Sequence, residues 1–269
     1  MTDRHDGPQV IQSDNLSFAW GEIVRRIVGP RGRDISPLMV SIRGYREDGT
    51  PTEDPSIRGA LEEFLVEENV KDIENVAFTI FPQRYWQMSG KNRAEMFDMY
   101  QDAFARIQDY NPRNNKAGSY FQRLSDFNGD GKGPNQLEWI INEYHVRPTG
   151  RRSKWQATIY DPLRDVGTTA LKEFPCMQQI SFTFDADHGL ILNAFYATQQ
   201  MIRKGYGNYL GLSRLGAFMA HEMGLRFKGL NVFVGIAKSD SGKSSPSVKK
   251  LLGAIEGRLP HATRTGQAA

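Results

Sequence analysis

The residue with the strongest chemistry of its own is Cys176, the only cysteine in the chain. It follows Pro175 and precedes a stretch in which Gln179, Ser181 and Thr183 alternate with Ile180, Phe182 and Phe184. A period of two puts the thiol at the entrance of a half-buried strand, with polar groups along one face. As a thiolate it is a nucleophile; as a thiol it is equally a small buried hydrophobe. A single cysteine excludes an intrachain disulfide framework and a cysteine-built zinc site, in keeping with a reducing compartment.

Other patterns carry less chemistry. Asp126-Phe-Asn-Gly-Asp-Gly131 has oxygen-bearing side chains where the first half of a calcium loop needs them, but Leu137 stands where that loop ends in glutamate, so a glycine-rich turn is expected. Ser239-Asp-Ser-Gly-Lys-Ser-Ser245 contains Gly-Lys-Ser with Ala237 in place of the first glycine of a phosphate loop, which leaves Lys243 as a lone phosphate candidate. His145, His188 and His221 are dispersed, and Leu225 occupies the position of the second histidine of a zinc-protease helix, so no metal site is expected. Phe78, Phe81, Tyr85 and Trp86 precede a basic stretch at 91–93 and read either as core or as a shelf for a base or pterin.

The elements that must position these groups are readable from spacing. Leu16, Trp20, Ile23 and Ile27 keep helical spacing behind Asp14, a candidate cap, and Gly29-Pro30 stop that helix. A strand over 38–43, a turn over 44–55, a helix over 56–68, a strand over 76–81 and an amphipathic helix over 93–110 follow, then a breaker-rich loop at 111–116. The second half predicts a helix over 135–146, a strand near 155–160 and paired strands over 177–184 and 190–196 about the turn Asp185-Ala-Asp-His-Gly189. A helix over 209–223, a strand over 231–236 and a helix over 245–255 complete it. No repeat or low-complexity linker divides the chain. The expectation is one α+β domain over 14–259, a mixed or antiparallel sheet covered by helices, with a flexible segment at 1–13 and a disordered tail at 260–269.

Composition bounds the partners. The 269 residues include 34 Lys and Arg against 31 Asp and Glu, a net charge of +3, and are 39% hydrophobic, which fits an ordinary folded chain and excludes collagen-like, coiled-coil and disordered classes. So small a charge does not argue for nucleic acid, although local arginine clusters suit an anionic small molecule. No run reaches the roughly 18 apolar residues of a membrane helix. Residues 1–12 are too polar for a signal peptide, so no membrane partner and a cytoplasmic location are expected.

Several short segments, taken in order, resemble thymidylate synthase and the related pyrimidine nucleotide hydroxymethylases. Gly133-Pro-Asn-Gln-Leu-Glu-Trp-Ile-Ile141 is similar to the helix before the family's arginine turn, and Pro148-Thr-Gly-Arg-Arg152 to that turn. Trp155-Gln-Ala-Thr-Ile-Tyr-Asp-Pro162 resembles a strand ending in Trp-Asn-Pro, Phe174-Pro-Cys-Met177 stands for Pro-Pro-Cys-His, and Gly207-Asn-Tyr-Leu-Gly-Leu212 for the Phe-Asn-Ile helix entrance. Gly118-Ser-Tyr120 resembles Gly-Pro-Val-Tyr-Gly more weakly. The likeness spans about half the chain, and its specificity lies in the colinearity of the segments.

The resemblance implies a thymidylate-synthase-like fold and a transferase that methylates or hydroxymethylates C5 of a uracil-type nucleoside monophosphate. Cys176 would add to C6, making C5 able to attack a one-carbon unit carried by 5,10-methylenetetrahydrofolate, and Tyr120 would share the catalytic site. Asn208 would read uracil through its amide, its alternative being a helix N-cap. Arg151 and Arg152 would bind phosphate across a homodimer with a shared site, in competition with Lys154, or else lie on a solvated turn. Arg33, with Arg31, would supply a further phosphate contact or simple surface charge, and Ser239 and Ser241 would bond the sugar.

Departures from the family pattern weaken parts of this. In Tyr196-Ala-Thr-Gln-Gln-Met201, Thr198 stands in place of an arginine that touches both phosphate and thiol, leaving Arg203 or Lys204 as local sources of positive charge for Cys176. Met177 replaces a histidine, Ser181 a glutamine, and Ala237-Lys-Ser-Asp-Ser241 the sugar-reading Asp-x-His-x-Tyr. For the catalytic glutamate only Glu62 and Glu63 are candidates, each equally at home on a solvated helix face. The sequence ends before the family's last strand and its folate-covering segment, which implies weaker folate use than pyrimidine binding. A noncatalytic nucleotide-binding or partner subunit derived from the same fold is the second expectation.

Overall fold

Alternation along six segments builds a single sheet. The computed structural model describes residues 7–29, 32–110, 118–129, 131–166, 175–242 and 245–260. Strands β1 (Gln9–Ser13), β2 (Leu38–Ile42), β3 (Gln156–Thr158), β4 (Met177–Phe184), β5 (Gly189–Gln200) and β6 (Arg226–Lys238) line up in the order β1-β2-β6-β5-β4-β3. β1 with β2 and β5 with β6 run parallel; the other pairs run antiparallel. The architecture is therefore mixed α+β, with a six-stranded mixed sheet and helices. Among the described residues no helix is long and apolar enough to cross a membrane.

The helices are α1 (Leu16–Val28), α2 (Pro55–Glu67), α3 (Ile73–Phe78), α4 (Gln83–Met88), α5 (Arg93–Tyr110), α6 (Tyr120–Ser125), α7 (Gln136–Val146), α8 (Pro162–Asp165), α9 (Tyr206–Glu222) and α10 (Pro246–Glu256). Helices α1 and α9 lie against the sheet face that buries Ile11, Val40, Phe182, Leu192, Val232 and Val234. The opposite face leaves Val10, Met39, Phe195 and Phe233 exposed, the two phenylalanines stacked at 5.4 Å between ring centroids.

The sequence expectations need correction in several places. Gln9–Ser13, placed in the flexible segment 1–13, is an edge strand held parallel to β2. The cap of α1 is Asn15, whose side chain accepts from the Phe18 amide, and not Asp14. The strand expected over 76–81 is instead helix α3 and the turn after it, because Asp72 caps the segment by accepting from the Asn75 amide; a short apolar run does not by itself distinguish a buried strand from a buried helix. Two glycines of α9 admit this helix. A Cβ on Gly207 would lie 2.6 Å from Val76 Cβ, and one on Gly211 would lie 2.8 Å from the Ala77 carbonyl oxygen. Helices α4 and α6 were not expected, and β5 and β6 run further than their apolar alternation. The loop at 111–116 and the tail beyond Pro260 fall outside the described residues.

The calcium-like pattern is a closed turn: the two Asp126 carboxylate oxygens accept from the Gly131 and Gly133 amides, both at 2.8 Å. Nearby, Arg123 makes a two-pronged ion pair with Asp165 at 2.6 and 2.7 Å, with the side chains only 4% and 2% exposed, and also donates to the Ile159 carbonyl.

Candidate functional site

Cys176 enters the sheet at the start of β4, where its carbonyl accepts from the Ala197 amide at 3.0 Å and Met177 pairs with Tyr196. The thiol is half-buried. Burial raises its pKa above the ordinary thiol value, and the positive charges of Lys204 and Lys238 pull it back down. Tyr120, at the start of α6, lies beside it: burial and the neighbouring Cys176 sulfur keep the phenol protonated, while the amides of Met177 and Cys176 act the other way. Tyr196 and Tyr120 approach edge-on, their ring centroids 6.5 Å apart.

The end of the sheet beyond Cys176 is tied together by hydrogen bonds between distant segments. After β5 the chain makes a π-helical turn, Met201–Gly205, that runs directly into α9. Trp20 Nε1 donates to the Met201 carbonyl at 2.7 Å, and the Asp240 carboxylate accepts from the Ile202 and Arg203 amides at 2.9 and 3.0 Å. Burial raises the pKa of Asp240, and those two amides oppose the shift. Single π turns inside helices are frequent at functional sites. Beside this turn, Ile35 bridges to Ala237, and Asp34 accepts from the Ser239 amide at 3.1 Å, which brings the loop carrying Arg33 alongside the end of β6.

Polar atoms are left over at this end. Among the described residues, the buried side-chain atoms without a hydrogen-bond partner are Tyr196 Oη, Gln199 Nε2, Arg203 Nε and Ser241 Oγ. Gln199 uses its oxygen to accept from the Tyr209 hydroxyl at 3.3 Å, and Arg203 uses Nη2 to reach Glu68 at 3.2 Å, so each keeps one unmatched donor. An unmatched buried polar group costs about 1–3 kcal/mol, and in native proteins such groups mark water, ligand or function. Neither a protein-family model nor a curated protein matches this sequence.

The structure gathers some of the expected residues and separates others. Cys176 and Tyr120 are adjacent, and Arg33, Ser239 and Ser241 share one corner, with the Ser239 hydroxyl donated to the Ser241 carbonyl at 3.1 Å. Asn208 is 4% exposed inside α9, continuous with the π turn, so it does not act as the N-cap. Arg151 and Arg152 are exposed at the 3₁₀ turn Arg152–Lys154, and no hydrogen bond or ion pair among the described residues ties either to Cys176. Lys154 is committed to Glu143 at 2.8 Å and lies over the Trp155 ring. Glu62 and Glu63 face solvent on α2, paired with Arg58 and Lys250. Thr198 donates its hydroxyl to the Ile236 carbonyl at 3.2 Å. Arg31 and Lys243 lie outside the described residues.

Tyr196, Gln199 and Lys238 were not singled out from sequence. Only the parallel β5–β6 register, which sets Gln199 against Ala237 and Gln200 against Lys238, brings them together. No group of three or more His, Cys, Asp or Glu among the described residues can hold a metal. The aromatic residues considered for a pterin do not fit one: Phe81 and Trp86 are core, and Phe78 packs edge-on against Tyr85 at 5.7 Å.

Proposed function

We propose that the protein is a thymidylate-synthase-like transferase that modifies C5 of a uracil-type nucleoside monophosphate through a covalent Cys176 adduct. The observation that supports this is the coincidence, at one end of the sheet, of the only cysteine, two lysines acting on its thiol, and four buried polar atoms without internal partners. In this reading the Cys176 thiolate forms a bond to C6, the C5=C6 electron pair shifts onto C5 and O4, and C5 accepts a proton or a one-carbon electrophile. Loss of the original C5 proton and expulsion of the thiolate restore the ring. Tyr120, protonated beside the thiol, is assigned to give C5 its incoming proton, and the phenolate that this leaves is assigned to take the original C5 proton. Asn208, buried on α9, is assigned to base reading.

The same reading takes the protein as a homodimer with a shared site. Support comes from the open sheet face, where exposed Val10, Met39, Phe195 and Phe233 form an apolar surface, and from Arg151 and Arg152, whose exposed side chains could serve a second copy. The test is tritium release from 5-tritiated uridine 5′-monophosphate: exchange with water is expected for the wild type and none for Cys176→Ala. If no pyrimidine nucleotide exchanges, the catalytic reading is wrong. The second reading, a noncatalytic nucleotide-binding subunit, is favoured by the burial that raises the thiol pKa and by Thr198 in the arginine position. It predicts nucleotide binding that survives Cys176→Ala, without exchange.

A further inference from the structure

At the end of the sheet beside Cys176, two lysines lie unpaired among the described residues while the neighbouring carboxylates are bonded to other groups. Asp240 is clipped to the Ile202 and Arg203 amides, Glu68 is held by Arg203 and by the Ser247 hydroxyl at 2.7 Å, and Asp34 accepts from the Ser239 amide. Each nearby acid is thus occupied. Lys204, on the π turn, and Lys238, at the last residue of β6, are both exposed and have no carboxylate partner among the described residues. The Asp240 clip fastens the π turn to the chain just after β6, which brings the two lysine-bearing segments together. Next to the clip, Arg203 Nε and Ser241 Oγ are buried donors with no hydrogen-bond partner among the described residues. The guanidinium that the resemblance leads one to expect here is replaced by Thr198, whose hydroxyl is already spent on a backbone carbonyl.

We propose that Lys204 and Lys238 form an anion subsite beside Cys176 that takes a phosphate monoester, with Arg203 Nε and Ser241 Oγ donating to its oxygens. Two ammonium groups and two fixed donors match a dianion with several acceptor oxygens better than they match a single carboxylate. The assignment deepens the nucleotide reading, since it names the cations for the phosphate of that ligand, and it differs from that reading in placing them within this chain. It also gives the lysines a second effect: with the subsite empty their charge favours the thiolate, and a bound dianion cancels that charge.

The experiment is alkylation of Cys176 by iodoacetamide in the full chain, followed with and without inorganic phosphate and, separately, uridine 5′-monophosphate. Phosphate is expected to slow alkylation of the wild type. Lys204→Gln and Lys238→Gln are each expected to raise the concentration needed for protection about tenfold, to slow alkylation at neutral pH without phosphate, and to be rescued by arginine at the same position. The subsite is overturned if phosphate gives the wild type no protection, or if both glutamine variants are protected within twofold of wild type. The outcome for the nucleotide is read separately: if uridine 5′-monophosphate protects no better than phosphate, the pyrimidine reading fails while the anion subsite stands.

Discussion

Two polar clusters inside this molecule are built on opposite terms. Around Arg123 each charge is met: Asp165 takes both prongs of the guanidinium, the Ile159 carbonyl takes another hydrogen, and Asp165 also accepts from the Asp161 amide. At the far ends of β5 and β6, Tyr196, Gln199, Arg203 and Ser241 are buried with donors or acceptors left over. A closed network costs little to keep and much to break, whereas an open one is a standing cost unless something outside the chain completes it. On the proposed reading, the contrast separates polar groups that hold the fold from polar groups that a ligand completes.

The contrast breaks most visibly at the closed cluster. Asp165→Asn leaves a buried guanidinium without its counter-charge, and removal of one partner of such a pair costs about 3–5 kcal/mol. Urea denaturation should show a corresponding fall in midpoint with the slope unchanged. A loss under ~1 kcal/mol would mean that Arg123 escapes to solvent and that the cluster is not closed.

Much of this scaffold was legible in the sequence, and the reason is local. Period-two alternation from Met177 to Phe184 and helical spacing from Gln136 to Val146 are properties of contiguous residues, whereas the cap expected at Asp14 is taken by its neighbour Asn15. Cys176 could be singled out because it is unique. Tyr120, Lys204 and Ser241 were named from sequence as well, but their meeting with Gln199 and Lys238 was not legible, because it depends on the β5–β6 register and the Asp240 clip, which are long-range facts. Helix α3 was misread because its apolar run fits either period and the decision lies with α9, whose Gly207 and Gly211 accept it.

That last contact gives the next effect in size. In Gly207→Ala the new methyl would lie 2.6 Å from Val76 Cβ, so α3 or α9 must shift, at about 1–3 kcal/mol of overpacking. Thermal unfolding checks it, and because Asn208 is the adjacent residue, uridine 5′-monophosphate affinity should fall with stability. An unchanged affinity would uncouple the helix seat from the open cluster.

At the open cluster the sign reverses. Tyr196→Phe removes a buried hydroxyl with no partner among the described residues and keeps the ring contacts, so stability should hold or rise by up to about 1 kcal/mol. Affinity for uridine 5′-monophosphate should meanwhile drop several-fold if that hydroxyl is kept for a ligand. A destabilised variant with unaltered binding would show that the hydroxyl belongs to the fold, and the comparison would lose its second half.

The smallest effect tests a third arrangement, an ion network open to water. Glu74 joins Arg58 and Arg214 at 2.6–2.9 Å, with its own side chain 44% exposed. The Arg214 guanidinium holds its pKa down at about 2, against an ordinary value of 4.5. A carboxylate whose pKa is lower in the folded state contributes stability above its unfolded value and loses it as pH falls through the folded one. The contribution should therefore be complete above about pH 5 and gone near pH 2. Exposure screens it, so Glu74→Gln should lower the melting temperature by only about 1–3 °C at pH 7. The gap between variant and wild type should close as pH falls from about 4.5 towards 2. High salt should narrow it at neutral pH, whereas the Asp165→Asn loss, being buried, should scarcely respond. Equal salt sensitivity in the two variants would place Arg123 and Glu74 in the same class, and burial would no longer be what distinguishes a closed polar cluster from an exposed one.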